Sequence, residues 1–433
     1  MTASPAAEAA RVLDALGVRW HGPIEIDGTA VEATLAPADG EQLADALAQL
    51  SEHRLAAIIR GGGSRMALGN PPRSADLFLS TEALTGVDEF DSEDGVLHAR
   101  AGTRLAEIRE RVGADGWELP IDAPGEKTTL GGALATGATG PRRHGFGPVR
   151  DWVLGLEVVL STGERTRCGG RVVKNVTGYD LAKLYTGSLG TLGVIEGVWL
   201  RLRPKPEATR LLRAAVTPDQ QGFVQAREAT LRTSARCVAL LCPRAAAACG
   251  ASNLSSASPA SPGNPGTWQI LLEFAGDAPA VTRDAEWWLE SMPAAAEADA
   301  GALDELRSLQ GSVLEPGGLR ARVAMLPSQL AGASRALAGS VAAQVLYPGP
   351  GLLYAYSEAG SAKLDRAANS CAGLVCAEQG YRASVVLEDL PAEAKSGRDV
   401  FGEPGPDWRL MKALKQRFDP GGVLNPGRFL GGI

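Results

Sequence analysis

Three consecutive glycines, Gly61 to Gly63, follow directly after the apolar segment 55–60 and precede Ser64. Because glycine has no Cβ, a buried strand that runs into such a turn can present consecutive backbone N–H groups to an anion such as a pyrophosphate. The spacing matches neither the P-loop nor the GxGxxG dinucleotide fingerprint. On its own, this segment is equally well explained as a flexible turn.

Three further segments are rich in glycine and small polar residues. Residues 124–147 carry repeated glycines that would let the main chain lie against a flat ligand, and Thr128 and Thr129 add hydroxyl groups. Residues 187–195 form a small-residue turn that leads into an apolar strand, and residues 419–429 include Asn425-Pro-Gly. The four segments together favour a ligand site more strongly than any one of them.

Acid–base chemistry has few candidates, because the chain contains only four histidines. His144 is the one that lies in a glycine-rich segment, where neighbouring arginines would lower its pKa and favour the neutral, proton-accepting form. The alternative is a polar loop residue. Arg142, Arg143 and Arg150 are either partners for a phosphate or carboxylate, or solvated loop charges.

Composition and charge exclude several classes of protein. The chain has 433 residues, enough for two or three domains, and 45% hydrophobic content argues against a disordered protein. A net charge of −7 makes duplex nucleic acid a poor partner. The six cysteines include no CxxC pair, which predicts free thiols in a reducing compartment and no metal site.

The first half predicts helices and strands that would position these segments. Asp39 is predicted to cap a helix within 37–53, and Thr103 a helix that buries Leu105, Ile108 and Val112. The predicted strands are 55–60, the hairpin partners 87–90 and 96–101, the hairpin partners 153–160 and 165–168, and 194–202 with one buried face. Residues 120–151 show few element signals.

The second half alternates short strands with amphipathic helices, which predicts an antiparallel sheet covered on one face. The Ser/Pro/Gly-rich residues 251–267 are predicted to be a mobile surface loop. A helix over 407–418 is expected to turn Trp408, Met411, Leu414 and Phe418 inward, before an extended tail.

The order of the four glycine-rich segments resembles the flavoprotein family of vanillyl-alcohol oxidase and p-cresol methylhydroxylase, over residues 31–206 and 401–429. The resemblance implies an α+β fold: a PCMH-type FAD-binding domain of two α+β subdomains in 1–206, an α+β cap domain with an antiparallel sheet of ferredoxin-like repeats in 207–395, and a C-terminal segment, 396–433, that returns to the flavin. It implies FAD contacts from Arg60, Gly61, Gly62, Gly63, Ser64, Pro124, Gly125, Thr128, Thr129, Gly131, Gly132, Gly137, Gly140, Gly145, Gly187, Ser188, Gly190, Thr191, Val194 and Asn425.

Residues 173–181 resemble the branch of this family that oxidises 2-hydroxy acids such as glycolate. The implied reaction sends hydride to flavin N5, and His144, Arg143 and Lys174 are the catalytic candidates. Relatives that tether FAD covalently carry a histidine beside the first glycine loop; this chain has none there, so FAD is expected to bind non-covalently. The chain also has no histidine after His144, where relatives place histidines that bind metal and substrate.

That absence leaves a second hypothesis open, namely an FAD-binding accessory or assembly subunit of a glycolate oxidase complex without its own hydroxy-acid site. A sugar or alcohol oxidase of the same family is a weaker alternative. The resemblance implies a sister flavoprotein subunit and an iron–sulfur subunit as partners. The N-terminal sequence shows no signal-peptide pattern and no apolar run of membrane-spanning length, which predicts a cytoplasmic protein, peripheral to the inner membrane only through partners.

Overall fold

A computed structural model describes residues 5–171, 179–217, 220–249, 267–292, 294–375 and 381–433. The predicted mobile loop at 251–267 lies outside the described residues except for Thr267, and Lys174 lies outside them as well. Within the described ranges the strands form two sheets in the N-terminal half, a short two-stranded pair, and one large sheet in the C-terminal half.

The first sheet places the glycine loop at the end of a buried strand. Its order is β1-β2-β4-β3, with β1 antiparallel to β2, and β4 parallel to both β2 and β3. Parallel pairing requires a crossover between β2 and β3, and helix α2 supplies it. The elements are α1 (Pro5–Ala15), β1 (Arg19–Ile26), β2 (Thr29–Leu35), α2 (Gly40–Glu52), β3 (Ala57–Arg60) and β4 (Leu77–Ser80).

The second sheet is antiparallel, in the order β5-β6-β10-β8-β9, and helix α4 packs on its central strand β10. Strands β7 and β11 form a separate pair. The elements of this region are β5 (Val87–Asp91), β6 (Val96–Arg100), α3 (Leu105–Gly113), β7 (Trp117–Glu118), α4 (Leu130–Thr136), α5 (Arg143–Phe146), β8 (Val153–Val159), β9 (Arg165–Gly169), α6 (Leu181–Tyr185), β10 (Val194–Arg201) and β11 (Arg203–Pro204).

The third sheet is antiparallel throughout its described pairs, in the order β15-β12-β14-β13-β17-β18-β16-β19. Its strands are β12 (Ala208–Val216), β13 (Ala235–Leu241), β14 (Trp268–Gly276), β15 (Ala296–Glu297), β16 (Leu319–Ala324), β17 (Ala343–Tyr347), β18 (Leu352–Ser357) and β19 (Ser384–Asp389). The helices are α7 (Gln220–Arg232), α8 (Pro243–Ala248), α9 (Ala278–Ser291), α10 (Ala302–Gly311), α11 (Leu330–Leu337), α12 (Ser361–Gly373), α13 (Ala392–Lys395) and α14 (Trp408–Phe418).

The C-terminal tail returns to the first sheet. The N–H of Ala57 donates to the Val423 carbonyl over 2.8 Å, and the N–H of Asn425 donates to the Ala57 carbonyl over 2.9 Å. The tail therefore runs beside β3, which carries the glycine loop. Val423 and Leu424 are buried in the core of the first sheet.

Most predicted elements are confirmed, and three details are wrong. Arg104, not Thr103, occupies the N-cap of α3, because the Thr103 hydroxyl is bonded to the backbone of Gly86 instead. Strand β10 is buried on both faces, because it lies at the centre of its sheet. Strands β13, β17 and β18 are buried along their whole length, so the large sheet is covered on both faces at its centre.

None of the described helices combines the length and apolar character needed to cross a bilayer. The predicted inward residues of α14 are partly buried, and Lys415 on the same helix is more deeply buried than any of them. Its ammonium donates to the carbonyls of Thr191 and Leu424 and to the carboxylate of Asp419. A lysine therefore joins α14 to the tail and to the loop before β10.

Candidate functional site

The four glycine-rich segments converge on one cleft of about 920 Å³. Its walls come from the end of β3, helix α4, the turn before β10 and the C-terminal tail. The lining also includes Thr136 and Ile195, which were not among the predicted FAD contacts. The predicted FAD contacts that line this cleft are Gly61, Gly62, Gly63, Ser64, Thr128, Thr129, Gly131, Gly132, Ser188, Gly190, Val194 and Asn425.

The loop after β3 presents free backbone donors to this cleft. Within the described structure, the N–H groups of Gly61, Gly62, Gly63 and Ser64 donate to no protein acceptor. Gly63 has a φ of +71°, a left-handed conformation that glycine adopts without strain. Consecutive free N–H groups at such a turn form a cradle for an anion.

Close packing between the segments explains several of the glycines. A Cβ on Gly62 would lie 1.6 Å from the carbonyl oxygen of Lys127, and one on Gly61 would lie 2.3 Å from the Thr129 hydroxyl. The Thr129 hydroxyl itself accepts a bond from the Gly132 N–H and caps α4. The glycines thus let the first loop lie directly on the second segment, and the cleft is built around that contact.

Asn425 joins three walls of the cleft. Its Oδ1 accepts a bond from the Ile59 N–H over 2.8 Å, and its Nδ2 donates to the Leu189 carbonyl over 2.5 Å. Its backbone has a φ of +46°, which asparagine tolerates better than most residues. Both side-chain groups are therefore used to hold the tail against β3 and against the turn before β10.

The remaining predicted contacts lie outside the lining of this cleft, and the structure shows what two of them do instead. Arg60 lines a separate groove near β1, and its side chain lies over the Phe78 ring. A Cβ on Gly140 would lie 1.8 Å from the Asp122 carbonyl oxygen, so this glycine serves packing. The full set outside the lining is Arg60, Pro124, Gly125, Gly137, Gly140, Gly145, Gly187 and Thr191.

A second cleft, of about 690 Å³, begins where α4 ends. Gly137 borders it on one side, and the large sheet supplies Arg322, Tyr354 and Glu388 on the other. Arg143, a predicted catalytic residue, also lines it. Because Ala135 and Thr136 line the first cleft and the next residues line the second, the two clefts are adjacent.

Arg322 presents its guanidinium to this second cleft. Its Nε donates to Glu388 Oε1 over 2.7 Å, and about a third of its side chain, 33%, is exposed. Burial opposes the charge of Arg322, but Glu388 outweighs burial and raises its pKa. Among the described residues, its two terminal nitrogens have no hydrogen-bond partner. They form a fork suited to a carboxylate.

Sequence reasoning missed Arg322, Tyr354 and Glu388. A signal for Arg322 existed, since Arg320 and Arg322 interrupt an otherwise apolar strand, β16. Burial, with the charge of Glu388, raises the pKa of Tyr354, which keeps the phenol neutral and able to donate. No comparable signal marked Glu388, because its partners are distant in sequence.

His144 lies apart from both clefts. A Cβ on Gly349 would come within 2.2 Å of its Nδ1, which places the ring against the turn between β17 and β18. Burial lowers its pKa, partly offset by a bond with the Thr230 backbone. The pKa of His144 is lowered, as predicted, but the cause is burial rather than the charge of neighbouring arginines.

Comparison with known proteins finds a family match in the N-terminal part of the chain. The family model described as "FAD binding domain" matches residues 31–169. Residues 31–169 are therefore similar to an FAD binding domain. The predicted resemblance to this flavoprotein family is thereby confirmed, and FAD is the cofactor of this domain type.

Curated relatives align with part of the chain. The glycolate oxidase subunit GlcE of Escherichia coli is 38% identical over 37% of this chain and 46% of its own length. The subunit GlcD of Bacillus subtilis is 34% identical over 42% of this chain and 39% of its own length. D-lactate dehydrogenase of Archaeoglobus fulgidus is 35% identical over 39% of this chain and 38% of its own length. The matches thus span less than half the length of these relatives.

Solved structures share the fold over nearly the whole chain. p-Cresol methylhydroxylase with bound substrate superposes with a TM-score of 0.73 at 16% identity, covering 99% of this chain and 97% of that one. Alkyldihydroxyacetonephosphate synthase superposes with a TM-score of 0.71 at 16% identity, covering 98% of this chain and 85% of that one. The predicted α+β fold of PCMH type is confirmed.

The first cleft fits FAD on its own geometry. The free N–H groups of residues 61–64 suit the pyrophosphate, and the buried Nε of Arg65 beside them has no protein partner within the described chain. Ile58 and Met66 in the lining add apolar surface for a flat ring system. An anion cradle joined to an apolar slot is the combination that a flavin dinucleotide needs.

Proposed function

We propose that this chain is an FAD-dependent oxidoreductase subunit that oxidises a small 2-hydroxy acid such as glycolate. The observation that carries the proposal is the second cleft, in which Arg322 and Arg143 border a space adjacent to the cofactor cleft. Two guanidinium groups suit a substrate carboxylate. The relatives named for glycolate and D-lactate support the same substrate class.

Bound FAD supplies a hydride acceptor. The chain's own residues would hold the substrate carboxylate with the terminal nitrogens of Arg322 and with Arg143, while the neutral Tyr354 phenol donates to a substrate oxygen. Glu388 is a poor proton acceptor, because Arg65, Arg322 and Arg320 outweigh burial and hold its pKa at about 2. Of the three predicted catalytic residues, Arg143 is the one within the described clefts.

We also propose that the boundaries near 206 and 395 divide the chain into an FAD-binding domain, a cap and a returning tail. The subunit would work with a sister flavoprotein subunit and an iron–sulfur subunit that receives the electrons. The glycolate oxidase subunit names of two relatives support this assembly.

FAD is proposed to bind without a covalent bond. The described lining of the first cleft contains no histidine, cysteine or tyrosine, the side chains that could attack the flavin methyl group. Acid precipitation of the purified holoprotein should therefore release all of the flavin into the supernatant. Yellow colour remaining in the washed pellet would contradict this assignment.

An accessory role is the second candidate, and a specific observation favours it. The described lining of the two clefts includes no histidine or lysine to accept the hydroxyl proton. In that case the chain would bind FAD while a sister subunit oxidises the hydroxy acid.

Anaerobic reduction separates the two candidates. Glycolate or D-lactate is added to the purified yellow protein, and flavin absorbance near 450 nm is followed, with acetate as a control that lacks the hydroxyl group. Bleaching by the hydroxy acids alone supports the oxidoreductase. Persistent oxidised flavin, in protein that dithionite still reduces, supports the accessory role.

Replacing Arg322 by lysine should raise KM for the hydroxy acid about tenfold or more, with a smaller fall in kcat. Lysine keeps the charge but loses the bidentate fork, and one charge-assisted hydrogen bond is worth about 1.5–3 kcal/mol. Steady-state kinetics with an artificial electron acceptor measures both constants. Arg335→Lys, at an exposed position of α11, is the matched control. Equal KM values for both variants would remove Arg322 from the substrate site.

A further inference from the structure

One buried carboxylate, Glu388 on β19, is shared by three arginines. Its Oε2 lies 3.3 Å from Arg65 Nη1 and 3.4 Å from Arg320 Nε, and its Oε1 lies 2.7 Å from Arg322 Nε. The side chain of Glu388 is only 5% exposed. Three cations around one anion leave an excess of positive charge.

The three arginines come from different parts of the molecule. Arg65 directly follows the glycine loop and lines the cofactor cleft, whereas Arg322 lines the second cleft. Arg320 lines neither cleft; its Nη1 donates to the Ser312 carbonyl over 2.9 Å and lies 4.0 Å from Asp389 Oδ2. Glu388 therefore pairs with an arginine of each cleft, Arg65 of the first and Arg322 of the second.

The guanidinium of Arg65 is paired with Glu388 through Nη1 only. Its side chain is 8% exposed, and its Nε has no protein partner among the described residues. Because a buried unpaired donor costs about 1–3 kcal/mol, this nitrogen favours an acceptor in the cofactor cleft. The other end of the same guanidinium depends on Glu388.

We propose that Glu388 is a positioning residue that couples the two clefts, by fixing Arg65 against the cofactor and Arg322 against the substrate carboxylate with one shared charge. The identity of the two ligands rests on the proposed function. Without the carboxylate, Arg65, Arg320 and Arg322 would repel one another. Since Arg322 is the most exposed of the three, at 33% against 8% and 3%, it would move first.

Oxalate is a suitable probe, because it carries a carboxylate of the right size and cannot be oxidised as a hydroxy acid. Its Kd is measured by isothermal titration calorimetry on the FAD-saturated protein. Glu388→Gln should raise the Kd of oxalate at least fivefold, and the Kd of FAD for the apoprotein at least fivefold, measured by fluorescence quenching. Glu388→Asp keeps the charge on a shorter side chain and should fall between these values.

Arg65→Gln gives the sharper test, since Arg65 does not line the second cleft. It should still raise the Kd of oxalate about threefold or more, and the double variant with Glu388→Gln should be no weaker than the worse single variant. Such non-additivity is the mark of residues that act through one another. If Glu388→Gln fails to fold, the oxalate Kd of Arg65→Gln alone decides the question, because Arg65 can affect the second cleft only through Glu388.

Glu358→Gln is the matched control, because Glu358 is another carboxylate of the large-sheet region that pairs with two cations, Arg244 and Lys363. It contacts neither cleft and should leave both Kd values unchanged. The proposal is overturned by equal effects of Glu358→Gln and Glu388→Gln, by additive effects of Arg65 and Glu388, or by a wild-type holoprotein that does not bind oxalate. A protein that binds oxalate with the predicted coupling but leaves hydroxy acids unoxidised would sink the proposed function alone.

Discussion

Replacing Gly62 by alanine should yield a folded protein that purifies without FAD. The added Cβ would lie 1.6 Å from the Lys127 carbonyl oxygen, a backbone atom that no side-chain rotation can move. The loop or the second segment must shift, and with it the free N–H groups that form the anion cradle. Overpacking of this kind typically costs about 1–3 kcal/mol, so the large sheet should remain folded.

The ratio of absorbance at 450 nm to that at 280 nm measures FAD content, and circular dichroism reports the remaining fold. Gly276→Ala is the control, because a Cβ there has nothing within 4 Å. Full flavin content in Gly62→Ala would refute the assignment of this loop. A side chain at Gly62 therefore meets the backbone of Lys127, whether or not a diphosphate is bound.

The sequence predicted the cofactor cleft well because its signal is local. Glycines that follow a buried strand can be read from residues 55–64, and Asp39 caps α2 as the pattern indicates, accepting from the N–H groups of Glu41 and Gln42. The run of glycines in the sequence could not show which of them face the ligand. Gly140 and Gly62 meet neighbouring backbone, and that distinction depends on how distant segments pack.

The second cleft could not be predicted, because its walls are far apart in the chain. Arg143 and Glu388 are separated by more than two hundred residues, and no periodicity connects them. Helices α4 and α5 were missed for a related reason: both are short, and α4 contains two glycines, so tertiary packing rather than propensity determines them. Thr103 looked like a cap but bonds the backbone of Gly86 instead.

The cofactor cleft depends on a tail that arrives last in the chain. Asn425 bonds to Ile59 and Leu189, which both line the cleft, so the tail fixes the distance between two of its walls. Lys415 reinforces the same junction through the carbonyls of Thr191 and Leu424. FAD affinity should therefore respond to a change in the tail even where no atom of the tail touches the flavin.

Replacing Asn425 by alanine should destabilise the apoprotein by about 3–5 kcal/mol and weaken FAD binding at least tenfold. The Ile59 N–H and the Leu189 carbonyl would each lose a partner, and leaving a buried polar group unpaired costs about 1–3 kcal/mol. Alanine is also less tolerant than asparagine of the φ of +46° at this position. Urea denaturation gives the free energy of unfolding, and fluorescence quenching gives the Kd of FAD.

Asn425→Gly separates the two causes, because glycine loses the same two hydrogen bonds but adopts this φ without strain. It should be more stable than Asn425→Ala by about 1 kcal/mol, yet bind FAD equally poorly. Asn369→Ala, at an exposed asparagine of α12, controls for the loss of an amide side chain. Wild-type stability in Asn425→Ala would show that the tail is not held by this side chain, and FAD binding that survives in both variants would show that the cleft keeps its shape without it.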